Sequence, residues 1–336
     1  MTAPRAIALV KLSALGDVVH ATPVVEALAD AFPAARITWV VERRAAALLH
    51  DHPRLADIIT LDTRAWRRVR TPSAARTLAG TLRELRQRLR AARFDVAVDL
   101  QGLVKSGVVT AATGAPLRIG FAAGFQRERL NALFTNCRVA PPPSARHVVD
   151  QYLALLAPLG VTPRRVVFRL PAREAAEGRV DEFFAAAGLK PHARLVVLNP
   201  GAGQAAKRWP VDRFAELAAR LTGEASARVL VLWGPGEEAA ARTIAAAPAR
   251  RPAPPTDLDT LVAVVRRASL MVAADTGPLH VAAAVGAPCV GLYGPTSAVR
   301  NGPYGTGHRT LSAPDGRMSS IDVPGVLVAV RELLGP

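Results

Sequence analysis

The chain has 336 residues, half of them hydrophobic, with 43 Lys plus Arg against 27 Asp plus Glu and a formal net charge of +16. That length predicts two domains of roughly 150 to 180 residues each, and the charge predicts an anionic partner: nucleic acid, an acidic membrane face or a phosphorylated substrate. An aromatic content of 5% without a recognisable nucleic-acid module argues against stacking on bases, and two distant cysteines, Cys137 and Cys289, argue against a disulfide framework and a zinc site.

Met1–Arg5 carries no signal-like region, and no run of about 18 apolar residues follows, which predicts a cytoplasmic protein, soluble or peripheral at a membrane. Ile7–Lys11 reads as an apolar strand, Leu12-Ser13-Ala14-Leu15-Gly16-Asp17 as a turn of mostly small residues, and Val18–Ala29 as a helix. Strands are predicted at Arg36–Val41 and Ala56–Leu61 with a helix near Ala45–His50 between them. Thr63–Arg93 is the most basic stretch. Arg64, Arg67, Arg68, Arg70 and Arg76 precede or open a long amphipathic helix with Leu78, Leu82, Leu85 and Leu89 at three- and four-residue spacing. Its arginines are either a solvated face or a site for an anionic acceptor.

Phe94–Leu100 is a buried strand ending in Asp99, and Gln101–Ser106, with Lys105, opens the next helix. Arg118–Phe121 is a further strand, followed by the loop Ala122–Arg129 that carries Arg127 and Glu128. Pro141-Pro142-Pro143 introduces His147 and a helix over Val148–Leu159, where His147 is either a plain helix-start residue or a site residue. Residues 161–171, around the strand-like Val166–Leu170, form the expected linker between a domain over 1–160 and one over 172–320.

In the second half, Leu195–Leu198 is a strand ending in Asn199-Pro200-Gly201-Ala202-Gly203, and Lys207-Arg208-Trp209-Pro210 leads into a helix over Val211–Leu221 with Pro210 in its first turn. A lysine beside a glycine-rich turn suits phosphate, but the P-loop spacing is absent. Arg228–Trp233 is a strand, after which Glu237 and Glu238 start a helix; the helix dipole explains both, and so does hydrogen bonding to ribose hydroxyls. The helix Leu258–Ala268 precedes Leu270–Val272 and then Ala273-Ala274-Asp275-Thr276-Gly277-Pro278-Leu279-His280, the turn from a buried strand into a helix, where open α/β sheets bind ligands. Asp275 and Thr276 at a helix start, with Gly277 beside them, are either an ordinary cap or a diphosphate site with free amides. Cys289–Tyr293 is another buried strand, and 321–336 is a C-terminal helix expected to pack back across the first half.

Lys11–His20, Lys207–Pro210 and Asp275–His280, in this order and spacing, resemble glycosyltransferase family 9, the bacterial heptosyltransferases of lipopolysaccharide core synthesis. Asp99–Ser106 is similar to the branch that adds the first heptose to the Kdo region of lipid A. The resemblance covers nearly the whole chain and implies a GT-B architecture, two Rossmann-like domains with parallel sheets facing an interdomain cleft. It implies an inverting transfer from ADP-heptose as co-substrate, with no cofactor and no metal, to an anionic glycolipid acceptor at the cytoplasmic face of the inner membrane, and no nucleic-acid partner.

By the same resemblance Asp17 is the general base and Lys207 meets the donor diphosphate. Gly203, Gln204, Glu237, Glu238, Asp275, Thr276, Gly277 and His280 belong to the donor site. Ser13, Gly16, Arg64, Arg67, Arg68, Gln101, Lys105, Arg127 and His147 belong to the acceptor site. The turn Gly201–Gln204 departs from the pattern in lacking a hydroxyl-bearing pair, so backbone amides or Gln204 take that place. The competing readings are a family member acting on a later core heptose, a GT-B enzyme with another nucleotide-sugar donor, and a basic binding protein without chemistry, whose affinity would depend steeply on salt.

Overall fold

The computed structural model describes residues 3–66, 71–189, 194–225 and 227–335, and the chain divides into two compact units, 1–171 and 172–336. The first unit runs β1 (Ala6–Val10), α1 (Leu15–Ala31), β2 (Arg36–Glu42), β3 (Asp57–Leu61), α2 (Thr63–Trp66), α3 (Pro72–Ala91), β4 (Val96–Asp99), α4 (Val104–Thr113), β5 (Leu117–Phe121), β6 (Cys137–Val139) and α5 (Val148–Ala154). Its six strands pair in parallel in the order β3-β2-β1-β4-β5-β6.

The second unit runs α6 (Glu174–Ala186), β7 (Leu195–Asn199), α7 (Val211–Glu224), β8 (Arg228–Val231), α8 (Glu238–Ile244), β9 (Arg250–Pro252), α9 (Leu258–Arg266), β10 (Leu270–Ala274), α10 (Gly277–Ala284), β11 (Cys289–Tyr293), α11 (Ala298–Asn301), β12 (His308–Ser312) and α12 (Val323–Leu334). Its strands pair in parallel in the order β12-β11-β10-β7-β8-β9, which is the first unit's winding repeated. In each unit the winding reverses between the first strand and the fourth, β1 and β4 in one and β7 and β10 in the other. A sheet of this order opens its binding crevice there, at the carboxyl ends of those strands.

The strands are short continuous apolar runs because both faces of a doubly wound sheet are covered by helices: β7, β10 and β11 are buried at every position. The helices show their buried side as a stripe. In α7, Phe214, Leu217, Ala218 and Leu221 recur at three- and four-residue intervals and enter the second core with Val196, Leu198 and Trp209. In α1, Pro23 has no N–H to give the carbonyl of Val19, and the Thr22 hydroxyl donates to that oxygen instead at 2.8 Å.

Several sequence expectations need correction. The helix near Ala45–His50 is a 3-10 stretch over Arg43–Leu48, and the helix Val148–Leu159 breaks after Ala154 into a 3-10 turn at Ala157–Leu159, where Pro158 cannot supply a donor. Val166–Leu170 forms no strand. Pro210 is the cap of α7, not a first-turn residue. The C-terminal helix α12 spends Val326, Leu327, Ala329 and Val330 on the second unit's own core. The edge strands β6, β9 and β12 and the helix α6 carry too little apolar pattern to have been seen in the sequence.

Candidate active site

In the first unit the register pairs Val10 with Asp99, so the loops leaving β1 and β4 emerge side by side. Lys11, the next residue after β1, is buried, and its Nζ donates to the Tyr152 hydroxyl at 2.7 Å and lies 3.7 Å from Asp17 Oδ2. Asp17 sits in the first turn of α1, where the helix dipole favours a carboxylate. The Ala14 amide donates to it at 3.2 Å and Arg127 Nη2 at 3.1 Å. Its side chain is 16% exposed and that of Arg127 42%, so the pair borders solvent while Lys11 lies beneath.

Asp99 organises the surrounding loops. Its Oδ1 accepts from the amides of Gln101 and Gly102, and its Oδ2 from Ser106 Oγ at 2.9 Å and Asn131 Nδ2 at 2.6 Å. Burial pushes its carboxyl above the usual range, against the pull of those four donors. Gln101, so fixed, accepts from the amides of Leu12 and Ser13 at 2.6 and 3.3 Å and thereby shapes the turn that carries Asp17. Gly102 takes φ +69°, and a Cβ there would stand 3.3 Å from the Arg127 amide. A side chain there would crowd the loop bearing Arg127, and the left-handed φ favours glycine. Glu128 fastens it, donating its amide to Gly102 O at 3.0 Å while its carboxylate caps the Val104 amide at 2.6 Å.

Of the residues expected near an acceptor, Ser13, Gly16, Gln101 and Arg127 therefore gather around Asp17. Lys105 lies one strand over, its Nζ 3.4 Å from buried Glu42 and 3.3 Å from Thr63 Oγ1, with Thr63 in turn bonded to Glu42. His147 caps α5, accepting from the Val149 amide at 3.1 Å, and stacks edge-on against His20. This is the structural role that its place before the helix allowed. The side chain of Arg64 and all of Arg67 and Arg68 lie outside the described residues.

In the second unit Asn199 and Ala273 are register partners, and the turns after β7 and β10 meet in the same way. Lys207 Nζ donates to Asp275 Oδ2 at 2.7 Å, and His280 Nε2 lies 3.1 Å from Oδ1. Burial works against ionisation of Asp275, but the hydrogen bonds and charges of His280 and Lys207 outweigh it and hold the carboxyl well below the usual range. Thr276, not Asp275, caps α10; its hydroxyl accepts from Asn199 Nδ2 at 3.3 Å, and Gly277 and Pro278 open the helix. Lys207 is held because Trp209, two residues on, is buried against Phe214 and donates to Ile321 O at 2.9 Å. Gly203 and Gln204 are exposed at the rim of this turn.

The two glutamates at the start of α8 part company. Glu237 turns inward, accepts from the Gly234 amide at 2.9 Å and packs so closely on Gly201 that a Cβ there would fall 2.0 Å from its carboxylate. Glu238 pairs with Arg242 along the outer face of α8 at 2.6 Å. Of the two, only Glu237 lies against the turn after β7. Sequence reasoning missed Tyr152, Glu42, Asn131 and the anchoring role of Lys11; only Lys11 carried a signal, a charge at the end of an otherwise apolar strand. Among the described residues no group of three or more His, Cys, Asp and Glu could hold a metal ion, and no helix is long and apolar enough to cross a membrane.

Two doubly wound units of matching strand order, each with a cation–carboxylate cluster at its switch point, share the GT-B architecture of solved heptosyltransferases. The chain belongs to glycosyltransferase family 9 (heptosyltransferase), whose model matches residues 82–323. It is 33% identical over 300 residues to lipopolysaccharide heptosyltransferase 1 of Pseudomonas aeruginosa, covering 88% of this chain and 81% of that protein. The E. coli heptosyltransferase WaaC solved with ADP superposes with a TM-score of 0.81 at 25% identity, covering 98% of this chain and 99% of the other. The same enzyme with ADP-2-deoxy-2-fluoro heptose gives 0.78 at 26%, covering 97% and 99%.

Proposed function

We propose that this glycosyltransferase moves a heptose from ADP-heptose to the Kdo region of a lipid A precursor, inverting the anomeric centre and using no metal or cofactor. The observation that carries the reading is the Asp17 carboxylate, lodged in a helix's first turn beside Arg127 at the switch point of the first unit. The relatives support the donor: WaaC has been solved with ADP and with a fluorinated ADP-heptose.

In this reading the acceptor hydroxyl oxygen attacks the anomeric carbon and forms the new glycosidic bond. The bond from that carbon to the diphosphate breaks, and its electron pair leaves on ADP. The hydroxyl proton passes to Asp17. Its work is first to align the hydroxyl and then to take the proton as the new bond forms. Arg127, half-exposed beside it, is placed to meet an acceptor carboxylate such as that of Kdo.

Charge builds on the departing diphosphate, and Lys207 is the group placed to answer it. Asp275 and His280 hold its ammonium in position, and the amides at the start of α10 add their dipoles. Glu237 at the neighbouring strand end is the carboxylate for ribose hydroxyls. The acceptor being a membrane glycolipid, the enzyme works at the cytoplasmic face of the inner membrane as a peripheral protein.

The test is incubation of the purified protein with ADP-heptose and a Kdo-bearing lipid A precursor, read by mass spectrometry for a single added heptose with release of ADP. Product with the wild type and none with Asp17→Ala is expected. No product with this acceptor, but transfer to a core oligosaccharide already carrying heptose, would assign the enzyme to a later step.

A further inference from the structure

Between β5 and β6 the chain makes a 3-10 segment, Arg129–Phe134, whose inner and outer sides are reversed. Its polar residue faces in: Asn131 is fully buried, and its Nδ2 donates to Asp99 Oδ2 at 2.6 Å and to Leu103 O at 2.8 Å. Leu130 and Leu133 share a face, because residues three apart eclipse in a 3-10 helix, and they are 63% and 75% exposed. No other large hydrophobic side chain among the described residues is as exposed. Rolling the segment over to bury them would pull Asn131 off the buried Asp99 and leave both polar groups unpaired. Phe134 fixes it as well, lying so close on α4 that a Cβ at Gly107 would meet its ring at 2.5 Å. Phe125, in the loop before it, is half-exposed too. Apolar side chains held outward on a fixed support mark a contact surface.

The charges name the partner. Residues 118–138 hold Arg118, Arg127, Arg129 and Arg138 against the single acid Glu128, whose carboxylate is occupied by the Val104 amide. Arg118 Nε donates to Phe134 O and Arg138 Nη2 to Ala132 O, both at 2.9 Å, which seats two guanidiniums against the segment itself, and Arg129 is exposed next to Leu130. Leucines among arginines match an anionic bilayer, where apolar side chains enter the acyl boundary and cations meet the headgroups. Two leucines are far less than the buried face of a stable protein complex, and a second copy of a chain with a net charge of +16 would bring like charge against the same arginines. Arg127, three residues before Leu130, bonds Asp17, so this surface adjoins the base. We propose that Leu130 and Leu133 dock the protein on an anionic lipid bilayer, with the Asp17 site beside the headgroups; the purpose of the docking rests on the transfer reading above, and the binding itself does not.

The experiment is co-sedimentation of the intact protein with vesicles of phosphatidylglycerol and phosphatidylcholine in equal parts, against vesicles of phosphatidylcholine alone. The wild type should pellet with the mixed vesicles and not with the neutral ones. Leu130→Ser combined with Leu133→Ser, both at exposed positions that folding tolerates, should weaken that partitioning about tenfold, equivalent to about 1.4 kcal/mol. Val328→Ser, at an exposed apolar position on α12, should leave it unchanged. Leu133→Trp should add an emission that moves to shorter wavelength on the mixed vesicles and is shielded there from acrylamide, which a purely electrostatic contact would not produce. In turnover, the double variant should raise KM for a Kdo-bearing lipid A precursor embedded in mixed vesicles and leave kcat, and KM for the deacylated compound in solution, as in the wild type. Equal partitioning of double variant and wild type, or a Leu133→Trp emission indifferent to vesicles, overturns the docking surface. So does a wild type that sediments as a dimer beside a monomeric double variant with vesicle binding intact, since the leucines then serve a second copy. Vesicle binding that the double variant loses, with no heptose transferred by the wild type to either acceptor, upholds the docking surface and overturns the transfer reading.

Discussion

The Lys11–Asp17–Arg127 cluster of the first unit and the Lys207–Asp275–His280 cluster of the second use the same parts in opposite order. In the first the lysine is buried under Tyr152, and the carboxylate, at the helix's first turn, stands outermost with Arg127. In the second the carboxylate, 10% exposed, lies deeper than the lysine at 21%, with His280 deeper still. The two switch points thus differ in which member of the lysine–carboxylate pair lies deeper.

The largest expected effect breaks the first cluster. Asp17→Ala should lower kcat by about 10³-fold or more while ADP binding, followed by calorimetry, stays as in the wild type. Next, Lys207→Ala should lower kcat by about 10²–10³-fold, the scale of losing one fixed donor to developing charge, and should also weaken ADP binding. If it changed acceptor affinity alone, the assignment of donor chemistry to the second unit would be wrong.

Asp275→Asn keeps Lys207 but removes its anchor. It should cost about 1.5–3 kcal/mol of folding stability, the range for hydrogen bonds to charged groups, measured by urea unfolding. The pH dependence follows from the depressed carboxyl of Asp275. Its stabilisation is complete above the ordinary carboxylate value of about 3.9 and fades only as pH falls from there towards the lower folded value. The gap between wild type and Asp275→Asn should thus be level from about pH 5 to 7 and narrow in stronger acid.

The smallest effect lies outside both clusters. Burial lowers the imidazole of His52 below its usual value, with Glu26 pulling the other way and Arg169 and Arg54 assisting the burial. The unfolded chain therefore binds that proton first, and stability should decline as pH drops below about 6.5. His52→Gln should flatten that slope without touching turnover.

Sequence periodicity alone determined that the chain is two successive βα series with polar turns after the strands, because a doubly wound sheet writes its buried strands as apolar runs. It placed Asp17, Gln101, Lys207, Asp275 and His280 in or just after the turns that follow strands, while the roles expected of them, and of Arg127, came from the resemblance to the family. The parallel register that sets Val10 beside Asp99 and Asn199 beside Ala273 was decided only by the tertiary structure, because pairing between strands about 75 to 90 residues apart leaves no local trace. The same holds for the inward turn of Glu237 onto Gly201 while Glu238 pairs outward with Arg242, and for the packing of Leu85 and Leu89 of α3 on the first core. A helical stripe in the sequence says that a face is apolar, and only the folded chain decides what that face lies against.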